Sequence, residues 1–327
     1  MMQTAHWQYL ATPPKATGQL KVEMADFQVT EKLGYEPIGQ GEHIYLWVRK
    51  TGLNTAYLAE QIAKFARVSA RDVTYAGRKD KYAITEQWFS VHKPGKAEFD
   101  WSSLNVAGAE VLKAIRHDKK LRTGVLKGNH FCITIRNLLN TADIESRLNR
   151  VAEQGVPNYY GAQRFGDSRY DARGGNLVLA EKMLGGEEIR NRNKRSMAIS
   201  ALRSWLFNEF VSRRIADGLF SQAMAGDVML LAGSASFFCT EQIDETILNR
   251  LKSRDIQLSV PLWGQGGLAS QATALDYETN IAAVYPVVTA ALEKLGLKQE
   301  RRALRLLPQD MSWELTEDKL VVNFDLP

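Results

Sequence analysis

The chain has 327 residues, 45% hydrophobic and 24% charged, with a net charge of +5. That fits a soluble globular protein with length for one large or two ordinary domains and a substantial core. Two cysteines without a CxxC or Cys/His cluster give no sign of zinc, and no apolar run reaches membrane-spanning length. Met1–Leu10 lacks the charged and apolar regions of a secretory signal, so a cytoplasmic address is expected.

Ala11 to Gly18, with Pro13 and Pro14, reads as an irregular lead-in. Gln19–Glu23 is strand-like, and Phe27–Glu31 alternates apolar and polar residues as a half-buried strand does. Three glycines and Pro37 mark a loop over Gly34–Gly41, and His43–Lys50 is a further strand. Asn54 is placed to cap a helix to about Ala66, with Leu58, Ile62 and Phe65 on one face. A short apolar run at Val73 and Tyr75 leads into a charged turn. The chain extends again over Gln87–His92 and is broken by Lys93-Pro94-Gly95-Lys96. Val106–His117 and Asn129–Asn137 read as strands about a basic connection. In the second, Phe131, Ile133 and Ile135 share one side, and Cys132 is expected to be a small core residue. Thr141 can cap a helix through Gln154 whose Ile144, Leu148 and Val151 form a stripe.

The texture changes near Val156. A Gly-rich loop reaches Gly175, and helical patterns follow over Asn176–Leu184 and about Asn193–Ala216, the second stopped by Gly218. Asp227–Ala232 and Ser236–Thr240 are short strands. Glu241–Lys252 and Thr273–Val284 are helical, with a Gly264–Gly267 loop between them. Strands return at Ser312–Leu315 and Leu320–Phe324. A strand-rich start, a helix-rich middle and a strand-rich tail predict an insertion. Residues 1–155 and 304–327 would form one domain, and 156–303 the inserted one. The fold class is α+β, with helices gathered against a mainly antiparallel sheet.

The charged turn carries the chemistry. Gly77 is followed by Arg78-Lys79-Asp80-Lys81, one carboxylate among cations at a strand-to-strand turn. Nearby cations favour the ionised carboxylate and depress its pKa. An ionised, oriented aspartate can act as nucleophile or base; a solvated charged turn has the same composition. Two basic clusters, Val111–Arg136 and Arg190–Arg214, hold patterns that can track a phosphate backbone or simply face solvent.

Several motifs together resemble one family. Gly77-Arg-Lys-Asp80 followed by Ala83-Ile-Thr-Glu-Gln87 is similar to the signature of the TruD family of tRNA pseudouridine synthases. Phe27-x-Val-x-Glu31, Asn129-His-Phe131, Val156-Pro-Asn-Tyr-Tyr-Gly-Ala-Gln-Arg-Phe-Gly166 and Asn193-Lys-Arg-Ser196 match in the same order. The likeness runs from about Leu20 to the C-terminus. It implies a pseudouridine synthase catalytic core with a curved, mainly antiparallel mixed sheet, plus a family-specific α/β insertion domain. It also implies isomerisation of a specific uridine, expected at position 13 of tRNA, without metal or redox cofactor.

Carried over by motif, the catalytic aspartate falls on Asp80 and its basic partner on Lys21. The substrate-contacting residues fall on Phe27 and Asn129, and the aromatic that stacks on the target base on Phe131. By pattern alone Phe27 and Phe131 read as core residues, Asn129 as a strand-start asparagine and Lys21 as an exposed strand lysine. Lys79, Lys119, Lys120, Arg122, Arg164, Lys194, Arg195 and Arg203 are the expected RNA contacts, those of the insertion facing Lys119–Arg122 across a cleft. The partner is tRNA; no membrane or obligatory protein partner is expected, and the protein is expected to be a monomer. Family members continue beyond Phe324-Asp-Leu-Pro327 into a Gly-Ser-Phe segment and a helix, so the resemblance implies a further pocket wall there. Two other readings keep the same features: a non-catalytic RNA-binding protein or chaperone, and a carboxylate-dependent glycoside hydrolase with Glu86 as the nearest second acid.

Overall fold

A computed structural model describes residues 2–95, 98–166, 171–234 and 236–327. Met1, Lys96 of the expected break and residues 167–170 of the Gly-rich loop lie outside the described residues. In chain order the elements are β1 (Thr17–Leu20), β2 (Phe27–Lys32), β3 (His43–Thr51), α1 (Thr55–Ala66), β4 (Val73–Tyr75), β5 (Ile84–His92), β6 (Ala109–His117), β7 (Gly128–Leu139) and α2 (Ile144–Gln154). They continue with β8 (Val156–Pro157), α3 (Ala162–Phe165), α4 (Gly175–Leu184), α5 (Arg192–Ala216), β9 (Val228–Leu231), β10 (Phe237–Cys239), α6 (Glu245–Lys252) and β11 (Ile256–Leu262). The last are α7 (Ala272–Ala283), α8 (Pro286–Lys294), β12 (Glu300–Ala303), β13 (Arg305–Leu306), β14 (Gln309–Leu315) and β15 (Lys319–Leu326).

The contacts divide the chain into two compact units, Pro14–Gln154 with Leu307–Pro327, and Met1–Pro13 with Gly155–Leu306. The first unit is built on a nine-stranded sheet with the path β14-β15-β7-β2-β5-β3-β6. β1 continues the edge of β7 that β2 uses, and β4 that of β5. The sheet is mixed: β2 and β5 run parallel, and its other pairs are antiparallel. Alternation along β3 and β5 sends Ile44, Leu46, Val48, Phe89 and Val91 to one face. There Leu58, Ile62 and Ala66 of α1 bury them, the apolar stripe that an amphipathic helix supplies. α2 packs Ile144 and Leu148 with Leu138, Leu320 and Val322 of the β7–β15 pair. The tail strands thus belong to this unit's sheet.

The second unit packs α5 across a four-stranded antiparallel sheet, β10-β9-β11-β12. Leu202, Leu206, Phe207, Phe210 and Val211 form its core with Met229, Ile256 and Val260. The sequence reading assigns no element to β11 or α8. Each contains a proline: Pro261 sits in the sheet opposite Arg301, and Pro286 opens α8, where a missing N–H costs nothing.

The lead-in departs from the expected first domain. Residues 2–13 pack with the second unit: Met2 is in its core, and Trp7 Nε1 donates to Glu209 Oε1 at 2.7 Å. Apolar contacts of Met2 and Trp7 and hydrogen bonds to Glu209 and Ser212 hold the lead-in there, and no local pattern announces them. No helix among the described residues is long and apolar enough to cross a membrane.

Candidate active site

The expected strand Gln19–Glu23 ends at Leu20, because Lys21 adopts a left-handed φ of 57°. That conformation costs a residue with a side chain about 1–3 kcal/mol. Here it accompanies an ion pair: Lys21 Nζ lies 2.6 Å from Asp80 Oδ2. The same ammonium stands 4.1 Å from the centroid of Phe27, a cation–π contact.

Phe27 opens β2, opposite Ile133 of β7. Its ring meets Phe131 edge-on, with centroids 6.4 Å apart and planes at 75°. Phe131 in turn stacks on Phe324, directly opposite on β15, at 5.2 Å and 14°. Asn129 lies two residues before Phe131 and therefore on the same face of β7. Its Oδ1 is buried without a hydrogen-bond partner among the described residues. Gly128 sets where β7 begins: a Cβ there would stand 2.4 Å from the Leu326 carbonyl oxygen, so only glycine lets β15 pass.

Two buried carboxylates brace the strands at opposite ends of β2. Asp26 precedes Phe27 and accepts from Arg136 Nε at 2.9 and 3.0 Å, and that hydrogen bond holds its carboxyl below the usual range. Asp325, beside Phe324, accepts from Lys32 and from His130. Burial raises its pKa, but these two donors outweigh it and the net shift is downward.

Asp80 lies in the loop between β4 and β5, and an open cleft of about 400 Å³ beside it is lined by Asn54, Tyr57, Glu60, Arg78, Lys81 and Asp80 itself. The loop is tied down from below. The Lys79 N–H donates to Thr55 Oγ1 at 3.0 Å, and that hydroxyl donates to Gln87 Oε1 at 3.0 Å. Gln87 Nε2 donates to the Gly77 carbonyl at 3.4 Å. Lys50 Nζ donates to the carbonyls of Asp80 and Leu53, both at 2.9 Å.

The Lys79 side chain corrects one expectation. It turns inward to Glu31 Oε1 at 2.7 Å, with 10% and 0% of the two side chains exposed, instead of reaching solvent as an RNA contact. Burial raises the Glu31 pKa against the pull of Lys79, and Glu31 Oε2 also accepts from the Trp88 N–H at 2.8 Å. Lys21, not Lys79, is the ammonium on the Asp80 carboxylate.

Lys119, Lys120 and Arg122 are exposed on the β6–β7 connection. In the second unit Lys194 and Arg195 are exposed in the first turn of α5. Arg164 is exposed, 4.9 Å from the Tyr160 ring centroid and hydrogen-bonded to Ser200 Oγ. Arg203 is a second correction. Its guanidinium donates to the carbonyls of Trp263, Leu262 and Lys298 and to Glu300, which commits it to tying α5 to β11 and the chain before β12.

The structure therefore brings Lys21, Phe27, Asp80, Asn129 and Phe131 to one unit, with contacts linking Asp80 to Lys21, Lys21 to Phe27 and Phe27 to Phe131. Sequence reasoning missed Phe324 and Lys50. Phe324 follows Leu320 and Val322 in the alternation of its strand, but its position over Phe131 depends on a register no local pattern gives. Lys50 reads as the polar end of a strand.

Comparison with known proteins shows the family and the fold. The family described as tRNA pseudouridine synthase D (TruD) matches residues 5–187 and 176–327. The tRNA pseudouridine synthase D of Pseudoalteromonas atlantica is 61% identical over 326 residues, covering 100% of this chain and 93% of that protein. That of Aeromonas hydrophila is 50% identical over 320 residues, covering 98% and 89%. Among solved structures, a protein from Methanosarcina mazei designated tRNA pseudouridine synthase D (TruD) superposes with a TM-score of 0.73 at 21% identity, covering 98% of this chain and 92% of that one. At that identity the match speaks to the fold.

Proposed function

The chain belongs to the tRNA pseudouridine synthase D (TruD) family of isomerases, and from that premise we propose that it converts the uridine at position 13 of tRNA to pseudouridine with Asp80 as the reacting group. The observation that carries the reading is the 2.6 Å pair between Lys21 and Asp80 beside the Phe27 ring. A nearby ammonium favours the ionised carboxylate. Two routes use such a group: attack on the ribose C1′ carbon with departure of the uracil anion, or removal of the ribose C2′ proton to leave a glycal. In either, the freed base turns and its C5 bonds C1′ as the Asp80 ester breaks or as the glycal regains a proton at C2′; the C5 proton is then lost and N1 takes one up.

Reaching the glycosidic bond of a folded RNA requires extrusion of the nucleotide. The Phe131 face supplies a stacking surface, and the unpartnered Asn129 Oδ1 offers an acceptor to the uracil N3–H or a ribose hydroxyl. Lys119, Lys120, Arg122, Arg164, Lys194 and Arg195 supply exposed cations for the phosphate backbone. Incubation with uridine-labelled tRNA, followed by mapping of pseudouridine, tests the reading. Modification at position 13 alone is expected. Modification elsewhere would displace the site assignment, binding without modification would favour a non-catalytic RNA-binding protein, and base release a hydrolase.

A further inference from the structure

Lys50, on β3 between Thr85 of β5 and Ala109 of β6, has no solvent exposure. Burying an ammonium is expensive unless its donors are used. Here they go to two main-chain carbonyls, and one belongs to Asp80 itself. Thr55 and Gln87, which also bond the loop's main chain, are neutral, and the Lys79–Glu31 and Lys21–Asp80 ion pairs hold side chains. Lys50 brings a charge to the main chain of the residue that carries the carboxylate.

We infer that Lys50 is a positioning residue for the isomerisation: its buried ammonium, clamped on the Asp80 and Leu53 carbonyls, fixes the main chain from which the reacting carboxylate projects. The inference rests on the reading of Asp80 as the reacting group. A displacement of about 1 Å in a reacting group can cost roughly 100-fold, so a charge-assisted clamp at this atom has kinetic consequences that ordinary packing lacks.

The electrostatics run the same way. Burial pulls the Lys50 pKa down to about 8, with Asp80 pulling it up and Lys79 pulling it further down. Lys79 is held by Glu31, and on the neighbouring strands Glu86 and Glu110 are both held by Arg49. An ammonium favoured by the Asp80 carboxylate favours that carboxylate in return. Burial favours the neutral form of Lys50, and a neutral amine donates more weakly to the same carbonyls, so the clamp is expected to weaken as pH rises.

The full chain tests this in single turnover, with enzyme saturating over labelled tRNA. Lys50→Met is expected to lower the rate constant about 100-fold while tRNA affinity stays within about threefold. Lys50→Arg, which keeps the charge and the donors, is expected to recover most of the rate. Melting temperature and the fraction of RNA-binding molecules normalise each rate, so lost stability alone does not move the result. Lys50→Gln, a neutral donor of similar length, decides the matter if Lys50→Met fails to fold: its rate is expected to fall while tRNA affinity is kept, and the wild-type rate is expected to fall as pH is raised from 7 to 9.5. A folded Lys50→Met or Lys50→Gln enzyme at the wild-type rate overturns the inference. If Asp80→Asn is inactive while folded Lys50→Met is fully active, only the role of Lys50 falls. If Asp80→Asn is itself active, the reading of the site falls with it.

Discussion

Lys21 and Asp80 are 59 residues apart in sequence and meet at 2.6 Å. A left-handed residue at the end of β1 and a braced loop between β4 and β5 bring them together. Neither end of the pair is rigid by virtue of its own element; each is held by contacts from elsewhere in the sheet.

Replacing the carboxylate is the first consequence to measure. Asp80→Asn is expected to lower turnover by roughly 10⁴-fold or more, the scale seen when a reacting group is removed. tRNA affinity should be largely kept, because the exposed cations remain. Pseudouridine formation and filter binding on the same preparation check both halves, and full activity would remove the assignment.

Lys21→Met removes the ammonium and keeps the aliphatic stem. The two side chains of the pair are 34% and 28% exposed, so solvent screens part of the interaction. A loss near the lower end of the range for charged hydrogen bonds, about tenfold in kcat, is expected. The comparison variant Lys21→Arg should lose less. Equal losses in the two would mean that stem packing, not charge, matters here.

Phe131→Ala should cost about 1–3 kcal/mol of base stacking, roughly five- to 150-fold in kcat/KM. Phe131→Tyr keeps the ring and should stay within several-fold. Phe324→Ala removes only the partner ring at 5.2 Å, for which about 0.5–1.5 kcal/mol is expected. Steady-state kinetics on tRNA read all three.

Asp26 gives an acid-side prediction. The Arg136 hydrogen bond lowers its folded pKa below 3.8, so the stability it contributes is present above that value and is lost as pH falls through the folded pKa. Asp26→Asn should cost about 2 kcal/mol at pH 7. The gap between variant and wild-type melting curves should close in strong acid; a gap that persists there would assign the effect to packing.

Salt titration separates the basic residues. Substituting Lys119, Lys120 and Arg122 by alanine should weaken tRNA binding and lower the log–log salt slope by about 0.7–0.9 for each phosphate that is no longer neutralised. Arg203→Met should leave that slope unchanged and lower the melting temperature, since its donors are engaged within the fold.

Residue types and their spacing determined much of this protein: the strand and helix periods of both units, the change of texture near Val156 where the second unit resumes, and the run of motifs that names the family. Local pattern drew notice to Asp80 among its cations, whereas Lys21, Phe27, Asn129 and Phe131 were singled out only by the family's motifs, since by pattern alone they read as ordinary core, strand-start or surface residues. Tertiary structure alone decided that Lys79 serves Glu31, that Arg203 ties α5 to β11, that residues 2–13 pack with the second unit, and that Lys50 and Phe324 reach the site. The physical reason is the same in each case. A long cationic side chain or a ring is indifferent to its neighbours in sequence, and its partner is chosen by strand register and by which carbonyls or carboxylates would otherwise be buried unpaired.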